Sequence, residues 1–315
     1  MPVDTTIGAL FDALQNKLDL RWNDSRRGQS RSVKNPSDAE NDISLVGYLN
    51  LIHPHRVQIL GKKEVTYLNA LNKSARDDLI NRLFSEETDL VVFASDEKVP
   101  DDIRQRATAA NTPLFTTASP SQHLVDYLRY YLTNLFAEKI IIHGVFMEVF
   151  SLGVLITGSA SVGKSELALE LITRGHRLVA DDAPEFSKTG PEALTGNCPD
   201  ILQDCLEVRG LGILDVRAMF GDSAVKRSRN LRLIIKLEIM IEKEIHKMDR
   251  LSSSQSTRQL LGIDIPEVTL PVTPGRNLAI LTEAAARNHT LRLKGYDANK
   301  NFIERHEQHM KTNAV

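Results

Sequence analysis

Val154-Leu155-Ile156-Thr157-Gly158-Ser159-Ala160-Ser161-Val162-Gly163-Lys164-Ser165 runs from an apolar stretch into a loop bounded by glycines. Val154 to Thr157 read as a buried strand, and Lys164 to Arg174 as a helix with Gly175 where a C-cap glycine belongs. Between them, Gly158 to Ser165 fits G-x-x-x-x-G-K-[ST], in which glycines let backbone N–H groups turn inward around phosphate oxygens. Lys164 is expected to reach β- and γ-phosphates as a point charge, and the Ser165 hydroxyl to ligate Mg²⁺. The helix N-terminus adds favourable partial charge. Strand, loop and helix in this order are the surroundings that the pattern demands. Gly158, Ser159, Ala160, Ser161, Val162, Gly163, Lys164 and Ser165 are therefore expected to cradle ATP within an α/β domain.

Working outward, Val145 to Phe150 form a second strand candidate, joined to the first through a turn at Ser151 to Gly153. After the helix comes a short strand, Arg177 to Ala180, closed by Asp181 and Asp182. In an open α/β sheet this places a carboxylate near a bound γ-phosphate. One of the two could take a proton from an attacking hydroxyl or hold Mg²⁺ through water, or both could be solvated turn residues. Leu206 to Asp215 gather Glu207, Arg209, Gly210 and Gly212 in an apolar frame, which suits metal and phosphate contacts, or else a plain Gly-containing turn between strands with Glu207 and Arg209 pairing at the surface. Val272 to Asn277, with Arg276, precede a helix over Leu278 to Arg287 and present an anion site at its N-terminus. His143 before Gly144 is ambiguous by itself, a single histidine being more often a satisfied structural residue than a catalyst. Lys226, Arg227, Arg229 and Arg232 have no interleaved aromatics and read as a solvated flank rather than a nucleic-acid surface.

The first half has its own α/β texture. Asn23 to Asp42 are polar and read as loop, Leu90 to Ala94 as a buried strand, with a helix from Pro100 and Asp101 onward. Pro113 to Thr116 follow as a strand and Ser119 to Phe136 as an amphipathic helix. The texture changes near Ala137, which divides the 315 residues into domains 1–137 and 138–315. With 42% hydrophobic and 25% charged residues the composition is ordinary for a globular chain, and a net charge of -2 offers no bulk attraction to nucleic acid or anionic lipid. No apolar run approaches a bilayer span and the start lacks a signal-peptide pattern, so no membrane association is expected and the cytoplasm is the default address. Cys198 and Cys205 lie in no zinc-type arrangement and read as reduced thiols.

Taken together, His143-Gly144-Val145, the Gly158 to Ser165 loop, Ala180-Asp181-Asp182, Leu206 to Asp215 and Val272 to Asn277 resemble the HPr kinase/phosphorylase family in order and spacing. The resemblance covers Ile140 to Gln308 and extends more loosely to Leu45-Val46-Gly47-Tyr48-Leu49-Asn50. It implies a phosphoenolpyruvate carboxykinase-like P-loop domain behind a smaller N-terminal α/β domain, assembled as a homohexamer. The implied activity is ATP-dependent phosphorylation of a serine of the phosphocarrier protein HPr, and its reversal by inorganic phosphate with release of pyrophosphate. By the same likeness Asp182 is base and acid, His143, Lys164 and Arg250 join it, and Ser165 and Glu207 hold Mg²⁺. The Val272 to Asn277 segment corresponds to the part associated with dephosphorylation. Ala183-Pro184 departs from the family's pattern, and Pro184 removes a ladder donor after the catalytic carboxylate. A small-molecule kinase on the same scaffold and a nucleotide-sensing regulator are the competing readings.

Overall fold

The computed structural model describes residues 5–34, 44–50, 52–85, 87–240 and 255–313. The chain divides into two compact units, Met1–Ala137 and Glu138–Val315.

In the first unit Leu90-Val91-Val92-Phe93 is buried throughout, because helices cover both faces of its sheet, as an uninterrupted apolar strand requires. Leu90 and Val92 pack with the helices Ile7–Leu18 and Ser121–Phe136. Val91 and Phe93 pack with Lys62–Ala70, Lys73–Leu83 and Asp101–Ala109 on the other face. The sheet runs Arg21–Trp22, Leu114–Thr116, Leu90–Phe93, Val57–Leu60, Val46–Tyr48. All its pairings are parallel except that of the Arg21–Trp22 edge. The helix expected from Ser119 starts at Ser121, because Pro120 occupies the N-cap in an extended conformation. Within the polar stretch after Asn23, Ser32–Val33 pairs with Thr5–Thr6.

The second unit is built on a nine-stranded sheet. Its path is Arg177–Ala180, Val145–Val149, Leu152–Gly158, Ser228–Ile239, Ala193–Asn197, Glu185–Gly190, Lys139–Ile141, and Ile263–Val272 leaves it from Ser228–Ile239, carrying Gln255–Leu260. Alternation along Leu152–Gly158 divides the core. Val154 and Ile156 pack on the side of the helix Lys164–Thr173 and of Ala279 and Ala286, while Leu155 packs with Phe146, Ile234 and Phe186 on the other. Val145–Val149 is antiparallel to both Leu152–Gly158 and Arg177–Ala180, and Ser228–Ile239 is parallel to Leu152–Gly158. The carboxyl ends of three strands therefore meet at one edge of the sheet, where ligands of open α/β sheets bind.

The turn between the strands Val145–Val149 and Leu152–Gly158 falls at Phe150 and Ser151, earlier than Ser151 to Gly153. Both residues have positive φ, 49° and 65°, as a two-residue type I′ hairpin requires. Phe150 is a bulky residue in that conformation. It is held by an edge-on contact with His176 at 4.7 Å and by the Arg287 guanidinium 4.2 Å above its ring. Cys198 and Cys205 are both free, and burial pushes the Cys198 thiol up to about 11. Among the described residues no helix is long and apolar enough to cross a membrane.

Candidate active site

The glycine loop closes tightly against its neighbours. Gly158 has φ +151°, and a Cβ there would stand 2.7 Å from the Leu237 carbonyl oxygen, so no other residue fits without moving backbone. Gly163, at φ +96°, occupies the N-cap and turns the chain into the helix Lys164–Thr173. Lys164 is almost wholly buried, and its Nζ donates to the carbonyls of Gly158 and Ser159, each at 3.1 Å. The ammonium is thus held over the loop by weak neutral acceptors, which an anionic phosphate outcompetes. Val162 turns into the core. Ala160, Ser161, Gly163, Lys164, Ser165 and Glu166 line a cavity of about 310 Å³, shared with His143, Asp181, Asp182, Glu207 and Arg209.

The two adjacent aspartates have opposite surroundings. Asp181 is buried, its Oδ2 accepts the Glu207 backbone N–H at 2.9 Å, and burial pushes its carboxyl above the usual range. Asp182 is 62% exposed, and its Oδ1 lies 2.8 Å from His143 Nδ1. Asp182 has φ +66°, with the Ala183 N–H donating to the Asp181 carbonyl at 2.8 Å, the hydrogen bond and φ sign of the rarer γ-turn. That backbone costs about 1–3 kcal/mol. It turns consecutive carboxylates in different directions, one into the protein and one into the cavity. Two further bonds fix the turn against the histidine's segment: Gly144 N–H to the Asp182 carbonyl at 3.1 Å and Ile142 N–H to the Pro184 carbonyl at 3.2 Å. Pro184 stands immediately before the strand Glu185–Gly190, so its missing donor falls at the strand's entry, where proline is tolerated.

Glu207 and Arg209 lie on a hairpin, Cys205–Val208 with Gly212–Asp215. Its alternation buries Leu206 and Val208 and leaves Glu207 and Arg209 exposed toward the cavity. Among the described residues neither is ion-paired, so the surface pair that a plain turn allowed is not formed. Asp215 instead caps the helix Val216–Phe220 by accepting the Ala218 N–H at 2.8 Å.

Val272 to Asn277 do not line this cavity among the described residues. Asn277 caps the helix Leu278–Leu293, accepting the Ile280 N–H at 2.9 Å, and its amide donates to Glu170 on the loop's own helix at 3.1 Å. That helix continues six residues beyond Arg287, with His289 buried in the added stretch, and it stops before Gly295, at φ +85°. Arg250 lies outside the described residues. Of the basic run, Arg229 pairs with Glu148 at 3.1 Å.

One network had no signal in the sequence. Glu283 accepts both Arg174 Nε and an Arg174 terminal nitrogen, at 2.9 and 2.7 Å, and lies 3.0 Å from His176 Nε2. Arg174, with His176 adding to it, holds the Glu283 carboxyl well down, at about 2. It ties the end of the loop's helix to Leu278–Leu293 across more than a hundred residues of chain.

Two family models match: the HPr Serine kinase N terminus over residues 5–132 and the HPr Serine kinase C-terminal domain over 134–306. The HPr kinase/phosphorylase of Stenotrophomonas maltophilia is 47% identical over 307 residues, 97% of either chain. The protein of the same description from Xanthomonas campestris pv. campestris shows the same identity and coverage. A solved structure, the Hpr(Ser) kinase/phosphatase from Coxiella burnetii, is 40% identical and covers 52% of this chain and 98% of its own, with a TM-score of 0.46.

Proposed function

This chain belongs to the HPr serine kinase family, and on that premise we propose that it phosphorylates a serine of HPr with ATP and removes the phosphate by phosphorolysis, in one cavity. The observation that carries the reading is the meeting of the glycine loop, Lys164, Ser165, Glu207 and the His143–Asp182 pair around that cavity.

In the forward direction the loop's N–H groups and Lys164 hold the β- and γ-phosphates, positioning the γ-phosphoryl for in-line attack. Asp182, open to the cavity and oriented by His143, accepts the proton of the serine hydroxyl as the oxygen attacks. Asp181 does not share that role: it is buried and occupied by the Glu207 N–H, which sets the hairpin beside the loop. The Ser165 hydroxyl and Glu207 carboxylate are hard oxygen donors on one cavity, a set that fits Mg²⁺ with substrate phosphate and water completing its shell. Bound there, Mg²⁺ neutralises charge on the transferred group. In the reverse direction an oxygen of inorganic phosphate attacks the phosphoserine phosphorus and the bond to the serine oxygen breaks. The proton of the attacking phosphate ends on serine by way of Asp182, and pyrophosphate leaves. Arg250, a homohexameric assembly and a cytoplasmic address rest on the family likeness.

The test is transfer from γ-labelled ATP and Mg²⁺ to HPr, followed by addition of inorganic phosphate. The expected result is labelled HPr that loses its label as pyrophosphate appears, with transfer by Lys164→Ala and Asp182→Asn reduced at least a hundredfold, on the order of what one general base contributes. ATP binding without transfer under any condition would replace this reading with that of a nucleotide-sensing regulator, and transfer to small acceptors alone with that of a small-molecule kinase.

A further inference from the structure

The pairing of His143 with Asp182 depends on the path of the backbone just after the histidine. On either side of His143 and Gly144 the chain is anchored in core. Ile142 is buried with Phe146 and Leu155 on one face of the sheet, and Val145 is buried with Val154 and Ile156 on the other. Val145 stands opposite Ile156 in the antiparallel pair of Val145–Val149 with Leu152–Gly158. Gly144, one residue earlier, therefore runs against that strand where it enters the glycine loop.

The approach is close. A Cβ on Gly144 would stand 2.5 Å from the Ile156 carbonyl oxygen and 3.3 Å from a Leu155 methyl. The obstacle is backbone of a strand paired on both sides, with Val145–Val149 and with Ser228–Ile239, and a packed sheet of this kind does not yield to a methyl group. From the other direction the Gly144 N–H donates to the Asp182 carbonyl at 3.1 Å, and the Ile142 N–H to the Pro184 carbonyl at 3.2 Å. The segment thus lies in a slot between the strand that delivers the glycine loop and the turn that delivers Asp182, and a residue without a side chain fits it. With Ile142 and Val145 both anchored, any shift at Gly144 falls on His143, whose side chain is 64% exposed.

Resting on the functional reading above, we infer that Gly144 is a positioning residue for proton transfer: its bare backbone runs close enough to Ile156 to set the His143 imidazole on the Asp182 carboxylate. It takes no part in the chemistry itself and acts through His143.

The experiment uses the full chain carrying Gly144→Ala, with labelled ATP, Mg²⁺ and HPr for the forward direction and phosphorylated HPr with inorganic phosphate for the reverse. Restoring the Cβ contact from 2.5 Å to an allowed 3.0 Å takes about 0.5 Å of movement. Since a misplacement of about 1 Å costs about 10²-fold, kcat is expected to fall about tenfold. The fall is equal in both directions, because one acid–base pair serves both. The Kd for ATP stays within about twofold of wild type, since the glycine loop and Lys164 are unchanged. His143→Ala separates positioning from mere structure: with no ring left to place, adding Gly144→Ala to that variant costs less than about twofold further.

A wild type that labels HPr alongside a Gly144→Ala protein of unchanged kcat overturns this inference alone, as does a loss equally large with and without His143. A Gly144→Ala protein that has lost ATP binding or its cooperative thermal melt overturns it in favour of a glycine needed only for folding. A wild type that binds ATP and leaves HPr unlabelled overturns the functional reading and this inference with it.

Discussion

Replacing Glu283 by Gln keeps the side chain's size and removes only its charge. In the native protein the carboxylate takes two N–H bonds from Arg174 and meets His176, which is 5% exposed, while Glu283 itself is 16% exposed. Its pKa falls from 4.5 to about 2, which at 1.36 kcal/mol per unit is an upper bound of about 3.4 kcal/mol. Arg174 remains 35% exposed, and water on that side screens the pair, so the expected loss is about 2 kcal/mol at neutral pH. Because the folded-state pKa is depressed, the stabilisation is fully present above the unfolded value of 4.5. It is lost as pH falls toward about 2. By pH 3.5 the gap between wild type and Glu283→Gln narrows by about 1 kcal/mol.

Urea unfolding at pH 7 and pH 3.5, followed by far-ultraviolet circular dichroism, measures that gap. Trp22, the sole tryptophan, lies in the first unit, so its fluorescence follows that unit's unfolding separately. A gap that is the same at both pH values would refute the electrostatic reasoning and reduce Glu283 to a packing residue.

Gly158→Ala forces a Cβ to 2.7 Å from a carbonyl oxygen at φ +151°; it is expected to lower stability by about 1–3 kcal/mol and to weaken nucleotide binding, read by a thermal melt and a nucleotide titration. Asp181→Ala leaves the Glu207 N–H without its acceptor, so the KM for Mg²⁺ rises and Asp181→Asn, which retains an acceptor oxygen, restores it; equal defects in both variants would contradict a positioning role. Asp182→Asn is expected to lower kcat in both directions by about 10²–10⁴ with an unchanged Kd for ATP. Cys205 is expected to react with a thiol reagent ahead of Cys198, whose burial and raised pKa withhold the thiolate; mass mapping of the first-modified site decides it.

What could be read from the sequence was local. The strand, glycine loop and helix from Val154 to Arg174 declare themselves because each depends on residues within a few positions, and Arg177–Ala180 ends where its apolar run meets two carboxylates. The hairpin at Phe150 and Ser151 has no local signal, because neither residue favours positive φ, and what holds Phe150 there, His176 and Arg287, is remote in sequence. The same limit explains Asp181 and Asp182. As neighbours of one residue type they are indistinguishable in the sequence, and their roles separate only where the hairpin supplies the Glu207 N–H to one and the segment before Val145 supplies His143 to the other. The opening of Asp182 to the cavity depends on the γ-turn that it adopts. An extended residue there would also have pointed the second carboxylate away from the first, but would have continued the strand. The turn instead ends the sheet at the carboxylate, leaving it open to the cavity and to an acceptor that must approach it from outside.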